Sequence, residues 1–201
     1  MQAIIIRGVV YPLVAIALGE GVRLELELAA DWRPFTEFGY LQITQSLFLF
    51  VCAAILTLQA LRGTVYRELA VCMGLFFLAL LIRENDQPLE LILPHGSWKY
   101  FAAIPIIALL VYSWKNRHVL TAQARNYSGS FAFGVMLSGM LVLAFSRLFG
   151  RNSFWEQLMG DTYLRKVKMV AEEGTEFLAL GMVLLAVVEF VLFCRSSKRV
   201  D

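Results

Sequence analysis

The chain has 201 residues, of which 59% are hydrophobic and 17% carry a formal charge, and its net charge at pH 7 is +2. Soluble domains average about 25% charged residues, so this composition excludes an ordinary soluble protein. The basic residues are few and scattered, which excludes a nucleic-acid-binding protein, whose Lys and Arg cluster on one face.

Six apolar segments are candidates to cross a bilayer as helices. The clearest is the uncharged run over residues 38–61, which extends about 36 Å as a helix at about 1.5 Å per residue. A hydrocarbon core is about 30 Å thick, so this run is long enough to span it. In chain order the predicted spans cover about residues 3–19, 39–61, 66–82, 99–114, 130–149 and 173–194. The sequence therefore predicts an all-α, polytopic transmembrane helix bundle of about six spans, forming a single integral membrane domain over residues 1–201.

The first apolar segment resembles a signal peptide in one respect. Ala17, Leu18 and Gly19 form a small-residue sequence like those that precede a cleavage site. No basic residue comes before Ile4, however, so the usual charged start of a signal peptide is missing. We therefore expect an uncleaved first helix that contains Arg7.

The loops indicate the orientation of the chain only through the density of their charges. Lys and Arg are equally numerous on the two sides of a six-span bundle, and such a tie gives weak support for any topology. The segments on the side of the two termini are shorter and hold few acids, whereas the opposite loops hold most of the acids. We therefore predict a multi-pass protein of the inner (plasma) membrane with both termini in the cytoplasm.

Two elements are predicted on the outer face. Residues 21–37 begin with alternating apolar and polar side chains, which indicates an extended stretch lying at the interface or over the mouth of the bundle. Residues 154–170 carry apolar and aromatic side chains at roughly helical spacing, and Trp and Tyr suit the headgroup region. We predict an interfacial amphipathic helix there, before the last span.

Ionisable side chains gather at the outer ends of the second, third and sixth predicted spans. Charged groups cost about 2.5–3.5 kcal/mol each at the bilayer centre on insertion scales, so they are seldom incidental in or near a span. The predicted binding residues are Glu37, Arg83, Glu84, Asp86, His95, Lys168, Glu172, Glu173 and Glu176.

The sixth span gives the sharpest signal in this set. Glu176 is four residues after Glu172 and three after Glu173, so these carboxylates share one helix face. Like charges at this spacing repel unless a cation, a proton or a basic side chain lies between them. Lys168 or Arg83 could supply that basic group, or the first two acids could simply complement the helix dipole. Glu176 lies one turn deeper and is the strongest single candidate.

A divalent metal is a candidate cofactor with weak support. His95, Glu84, Asp86 and Glu176 would form a ligand set of one nitrogen and three oxygens. The chain has only two histidines, and neither has HxxxH or HExxH spacing. The three cysteines form no CxxC pair and all fall in or at the end of apolar runs, so we expect buried free thiols.

Three functions remain open from the sequence. The acidic outer site binds a cation or the charged head group of a lipid or solute. Alternatively, the chain is a non-catalytic subunit or assembly factor whose polar cluster is a structural network of salt bridges. A third alternative is a membrane-embedded hydrolase or transferase acting on a lipid or lipid-linked substrate, which requires His95 within reach of Glu84, Asp86 or Glu176. The expected partners are the lipid bilayer, a lipid or small charged ligand, and a membrane protein or a second copy of the chain.

Overall fold

The computed structural model describes residues 2–28, 39–63 and 65–197. These residues form α-helices joined by short turns, and no strand occurs among them. The helices are α1 (Gln2–Leu28), α2 (Tyr40–Leu61), α3 (Arg67–Glu84), α4 (Asp86–Glu90), α5 (Trp98–Lys115), α6 (Arg117–Ser128), α7 (Phe131–Phe149), α8 (Asn152–Met159) and α9 (Arg165–Ser197). The prediction of an all-α fold is confirmed for this part of the chain.

Four of these helices are long and apolar enough to cross a membrane, and they fall in the first, second, fifth and sixth predicted spans. They cover Ile4–Glu27, Tyr40–Leu61, Phe131–Phe149 and Arg165–Ser197. The third and fourth predicted spans form α3 and α5, each 18 residues long. Charged residues occupy both ends of α3, and α5 begins and ends near a lysine, so neither helix has an uncharged stretch of full spanning length. Six spans are therefore not confirmed.

The start of the predicted extended stretch is helical, and this part of the prediction was wrong. α1 continues to Leu28. Arg23 bonds Glu20 and Glu27 at 2.6 Å each, three and four residues away, which are the spacings that a helix brings together. The buried positions Leu18, Gly21 and Glu25 follow the same helical spacing. The remainder of the stretch, residues 29–37, lies outside the described residues.

The predicted interfacial helix over residues 154–170 is also divided. α8 ends at Met159, a 3₁₀ turn follows at Gly160–Thr162, and α9 begins at Arg165. Gly160 has φ of +53°, a left-handed conformation that glycine adopts without steric cost. Trp155 is buried and its Nε1 donates to the carbonyl of Phe149 at 2.7 Å, which fixes α8 to the end of α7.

The chain divides into two compact units. The first comprises Met1–Gln45 and Ser138–Met182, and the second comprises Ser46–Leu137 and Val183–Asp201. In the first unit α1 runs antiparallel to the first half of α9. A Cβ added at Gly21 would lie 3.0 Å from the ring of Phe177, and one added at Gly174 would lie 3.6 Å from Val22. The contact at Gly21 is tighter than most Cβ contacts and favours glycine, whereas the distance at Gly174 is that of an ordinary van der Waals contact.

The core of the second unit is aromatic and aliphatic. Phe77, Leu56 and Phe190 are almost completely buried in it. Tyr127 packs against Phe190 with ring centroids 5.3 Å apart. All three cysteines are buried free thiols, as expected from their apolar surroundings.

Candidate functional site

The first unit contains a buried ion pair between α9 and α7. The Glu176 carboxylate is only 3% exposed and accepts a hydrogen bond from the guanidinium of Arg147. The Arg147 side chain remains 40% exposed. A carboxylate buried in a membrane-spanning helix is costly unless it is paired, so the Arg147 guanidinium helps to offset the cost of burying Glu176 there.

A second ion pair lies one turn earlier on α9. The Lys168 Nζ is 2.5 Å from Glu172 Oε2, and both side chains are mostly buried. The expected pairing of these two residues is present. The Glu172 carboxyl also packs directly against Gly150, at the end of α7, where a Cβ would overlap it. Position 150 therefore has to be glycine for this carboxylate to keep its place.

Gln45, from the second turn of α2, brings an amide group to the same part of α9. Its Nε2 donates to the backbone carbonyl of Glu173 at 3.4 Å, and the side chain is completely buried. The other amide atom, Gln45 Oε1, is buried and has no hydrogen-bond partner among the described residues. An unsatisfied buried acceptor costs about 1–3 kcal/mol, so this oxygen favours any donor that can reach it.

Glu25 adds a further buried carboxylate from α1. It is 4% exposed, and its Oε2 accepts a hydrogen bond at 3.2 Å from the backbone N–H of Leu41. This N–H belongs to the first turn of α2, where backbone donors have no partner inside the helix. The carboxylate also complements the positive end of the α2 dipole. Glu25 therefore fixes the start of α2 against α1.

Three predicted site residues belong to the second unit, near the end of α3. Arg83 Nη1 lies 3.2 Å from Glu84 Oε2, and Asp86 accepts a hydrogen bond from the backbone N–H of Gln87. Between them, Asn85 accepts a hydrogen bond from Ser46 at 3.2 Å. This arrangement closes the end of α3 onto the part of α2 that belongs to the second unit.

His95 forms a small polar cluster with Glu90. Its Nδ1 lies 2.6 Å from Glu90 Oε2, and the other carboxylate oxygen accepts a hydrogen bond from the backbone N–H of Gly96 at 2.8 Å. The imidazole is 94% exposed. His95 thus contacts Glu90, an acid that the hydrolase hypothesis did not name.

The Glu90 cluster predicts a local dependence on pH. The Gly96 N–H lowers the pKa of Glu90 most, followed by the hydrogen bond and charge of His95 and by the charge of Lys99, while burial opposes the shift. A lowered pKa in the folded state stabilises the fold above the pKa of the unfolded chain, about 4.3, and this stabilisation is lost as the pH falls through the folded value. We expect amide exchange at Gly96, corrected for its intrinsic rate, to accelerate below about pH 4.3. The Glu90→Gln variant should lack this pH dependence. If its exchange rate at Gly96 varies with pH as in wild type, the prediction is wrong.

The structure brings together part of the predicted site and adds residues that the sequence did not single out. Glu172, Glu173, Glu176 and Lys168 share the first turns of α9, whereas Glu37 lies outside the described residues. Arg147 and Glu25 were missed. Arg147 fell inside the fifth predicted span, and a charge within a span is a signal that could have identified it. Glu25 was hidden by the apparent alternation of residues 21–28.

No group of three or more His, Cys, Asp or Glu side chains among the described residues is arranged to hold a metal ion. The four candidate metal ligands belong to two different units. Glu84, Asp86 and His95 are in the second unit, and Glu176 is in the first. The metal therefore stays a prediction from the sequence alone.

Comparison with known proteins adds no relative. The chain matches no protein-family model, and no curated protein or solved structure is significantly similar to it. The four long, apolar helices indicate a membrane protein. This is the level of function that the fold itself supports.

Proposed function

We propose that the chain is an integral membrane protein that binds a cation, or the charged head group of a lipid or solute, at the polar interior of the first unit. The residues of this interior are Glu25, Gln45, Arg147, Glu173 and Glu176. We place the protein in the inner membrane as a single multi-pass domain with both termini in the cytoplasm, as the loop charges suggest.

The observation that carries the proposal is Gln45 Oε1, for which the described part of the chain provides no hydrogen-bond donor. The side chain is fully buried, in a helix long and apolar enough to span a membrane. A leucine at this position would fill the space without the cost of an unsatisfied acceptor. A polar ligand with a donor group, or a cation, would satisfy the oxygen and account for the glutamine.

The neighbouring charges favour a positive ligand. Gln45 bonds to the carbonyl of Glu173, and Glu176 follows one turn later on the same helix. Glu25 bonds the start of the helix that carries Gln45. Two buried carboxylates and an amide oxygen are hard oxygen donors of the type that Mg²⁺ and Ca²⁺ prefer and that ammonium groups also bind.

A second candidate function rests on the ion pairs. Arg147 with Glu176 and Lys168 with Glu172 both bring a base to an acid. Such pairing suits a structural network in a non-catalytic subunit or assembly factor, because paired charges need no ligand. This alternative leaves Gln45 Oε1 unexplained, and we therefore rank it second.

The two candidates are distinguished by the thermal stability of the purified protein in detergent. A ligand that binds only the folded state stabilises it by about 2.7 kcal/mol at a concentration of 100 times its Kd. Mg²⁺, Ca²⁺, Mn²⁺, choline and phospholipids are added one at a time to wild type, Gln45→Leu and Glu176→Gln. Glu156→Gln is the matched control, since Glu156 is exposed on α8.

We expect one cationic ligand to raise the Tm of wild type and of Glu156→Gln, and to leave the Tm of Gln45→Leu unchanged. The Gln45→Leu variant keeps every charge, so the result does not depend on the folding of a charge variant. If no ligand shifts wild type and Gln45→Leu is more stable than wild type, the ligand hypothesis is wrong and the structural network is favoured.

A further inference from the structure

An apolar groove runs along the second unit between α2 and α3. It has a volume of about 640 Å³, within the range of pockets that bind small molecules. Its floor consists of small residues that are buried or nearly so, including Ala53, Ala60, Ala70 and Gly74. Gly74 lies on this floor opposite Leu56, where an added Cβ would make an ordinary van der Waals contact with Leu56 Cβ at 3.6 Å. Larger side chains rise on either side of this floor.

The walls of the groove are exposed and apolar. Phe50 is 59% exposed, Leu58 53% and Leu78 39%. Along α3 the lining extends from Arg67 to Leu81, which corresponds to about 21 Å of helix at about 1.5 Å per residue. Half of a hydrocarbon core is about 15 Å, so the groove is long enough for one acyl chain of one leaflet.

One end of the groove is cationic. Arg67 is part of its lining, and Arg62 lies in the turn between α2 and α3. Both side chains are exposed, and neither makes an ion pair with a described residue. The adjacent acid, Glu68, accepts a hydrogen bond from Gln123 Nε2 at 2.6 Å, which holds its carboxylate against α6, and it makes no ion pair with a described residue.

Helix α6 extends this positive surface. Gln123 joins α6 to the start of α3 through hydrogen bonds to Leu69 and Val65. The same helix carries Arg117, His118 and Arg125, which line a smaller depression of about 340 Å³. None of these three makes an ion pair with a described residue, and Arg117 lies over the ring of Trp114 at 5.1 Å. A basic amphipathic helix with an interfacial Trp nearby is typical of a surface in contact with anionic head groups.

From this groove and its cationic end we infer that the second unit binds an anionic phospholipid of the bilayer, with one acyl chain between α2 and α3 and the phosphate at Arg62 and Arg67. This arrangement matches the shape and polarity of a phospholipid, because an apolar channel ends beside two guanidinium groups that make no ion pair with a described residue. Guanidinium groups bind phosphate through paired N–H donors.

A second copy of the chain fits the groove less well. Packing two copies symmetrically through this face would bring both Arg67 side chains to the same interface, and like charges repel there. A phospholipid supplies the missing negative charge. The inference is independent of the cation site proposed for the first unit, because it uses none of the same residues.

Native mass spectrometry of the full chain in detergent tests the assignment. The probes are phosphatidylglycerol, phosphatidylcholine with the same acyl chains, and soluble glycerol phosphate. Each basic residue near a membrane surface contributes about 1 kcal/mol to binding an anionic lipid, so two arginines correspond to about thirtyfold in affinity. We expect one phosphatidylglycerol per chain, bound at least tenfold more tightly than phosphatidylcholine.

Two variants and a control separate the head group from the acyl chain. The double variant Arg62→Gln/Arg67→Gln should reduce phosphatidylglycerol binding to the level of phosphatidylcholine. Ala54→Phe fills the groove without changing charge and should weaken both lipids. Arg165→Gln removes an exposed basic residue of the first unit and should change neither. Helical content by circular dichroism verifies that each variant is folded.

Three outcomes would overturn the inference. Equal binding of the two lipids by wild type would remove the role of the arginines. Glycerol phosphate binding as tightly as phosphatidylglycerol would remove the role of the groove. A dimer that Ala54→Phe dissociates would identify a second copy of the chain as the occupant.

Discussion

Replacement of Arg147 by Met is expected to lower the free energy of unfolding by about 1.5–3 kcal/mol, because it removes a charge-assisted hydrogen bond from a buried carboxylate. The variant keeps a flexible, unbranched side chain but removes the guanidinium that donates to the Glu176 carboxylate, which is 3% exposed. The cost arises from the loss of this charge-assisted contact in a helix that is apolar enough to span a membrane. Reversible unfolding in mixed detergent micelles measures this difference.

The matched control and the double variant decide whether charge pairing is the cause. Arg151 lies four residues later, outside α7, and is exposed, so Arg151→Met should change stability by less than about 0.5 kcal/mol. Arg147→Met/Glu176→Leu removes both charges and should recover most of the lost stability, since replacing a buried pair by apolar residues is often neutral. A double variant as unstable as Arg147→Met alone would show that packing, and not charge, dominates at this position.

The sequence predicts helices well where an apolar run is unbroken. It predicts them less well where the same residues fit both the two-residue period of a strand and the 3.6-residue period of a helix. The run over residues 38–61 becomes α2 almost without change. Residues 21–28 read equally as an alternating strand and as a helix with i, i+3 and i+4 ion pairs. The choice depends on α9, because Gly21 is buried only when a helical α1 packs against Phe177. No local pattern contains that contact.

The candidate site was predicted in part for a similar reason. The carboxylates of α9 were found because their spacing within one helix is fixed by geometry. Their partners come from other helices, and sequence spacing does not specify which helix is adjacent. Arg147 is 29 residues before Glu176, and Gln45 is 128 residues before Glu173. Neither separation carries a periodic signal, so these contacts required the tertiary structure.

The second large effect is expected at Gln123, one of the most connected polar side chains among the described residues. Its Oε1 accepts the N–H of Leu69 at 2.9 Å, and its Nε2 donates to the carbonyl of Val65 at 2.7 Å and to Glu68. Gln123 is 6% exposed, so water does not readily replace these bonds. Each buried group left unsatisfied costs about 1–3 kcal/mol, and Gln123→Leu leaves more than one, so we expect a loss of about 3 kcal/mol.

Amide exchange locates this effect as well as measuring it. In Gln123→Leu the Leu69 N–H loses its acceptor, so its protection should fall more than that of amides inside α2, which keep their helical bonds. Gln157→Leu is the control, because Gln157 is exposed on α8 and makes no comparable bonds to the described residues. The same three bonds hold α6 beside the turn that carries Arg62 and beside Arg67 at the start of α3. The loss of Leu69 protection should therefore accompany weaker binding of phosphatidylglycerol. Loss of protection without any change in lipid binding would show that α6 stabilises the turn but contributes nothing to the head-group site.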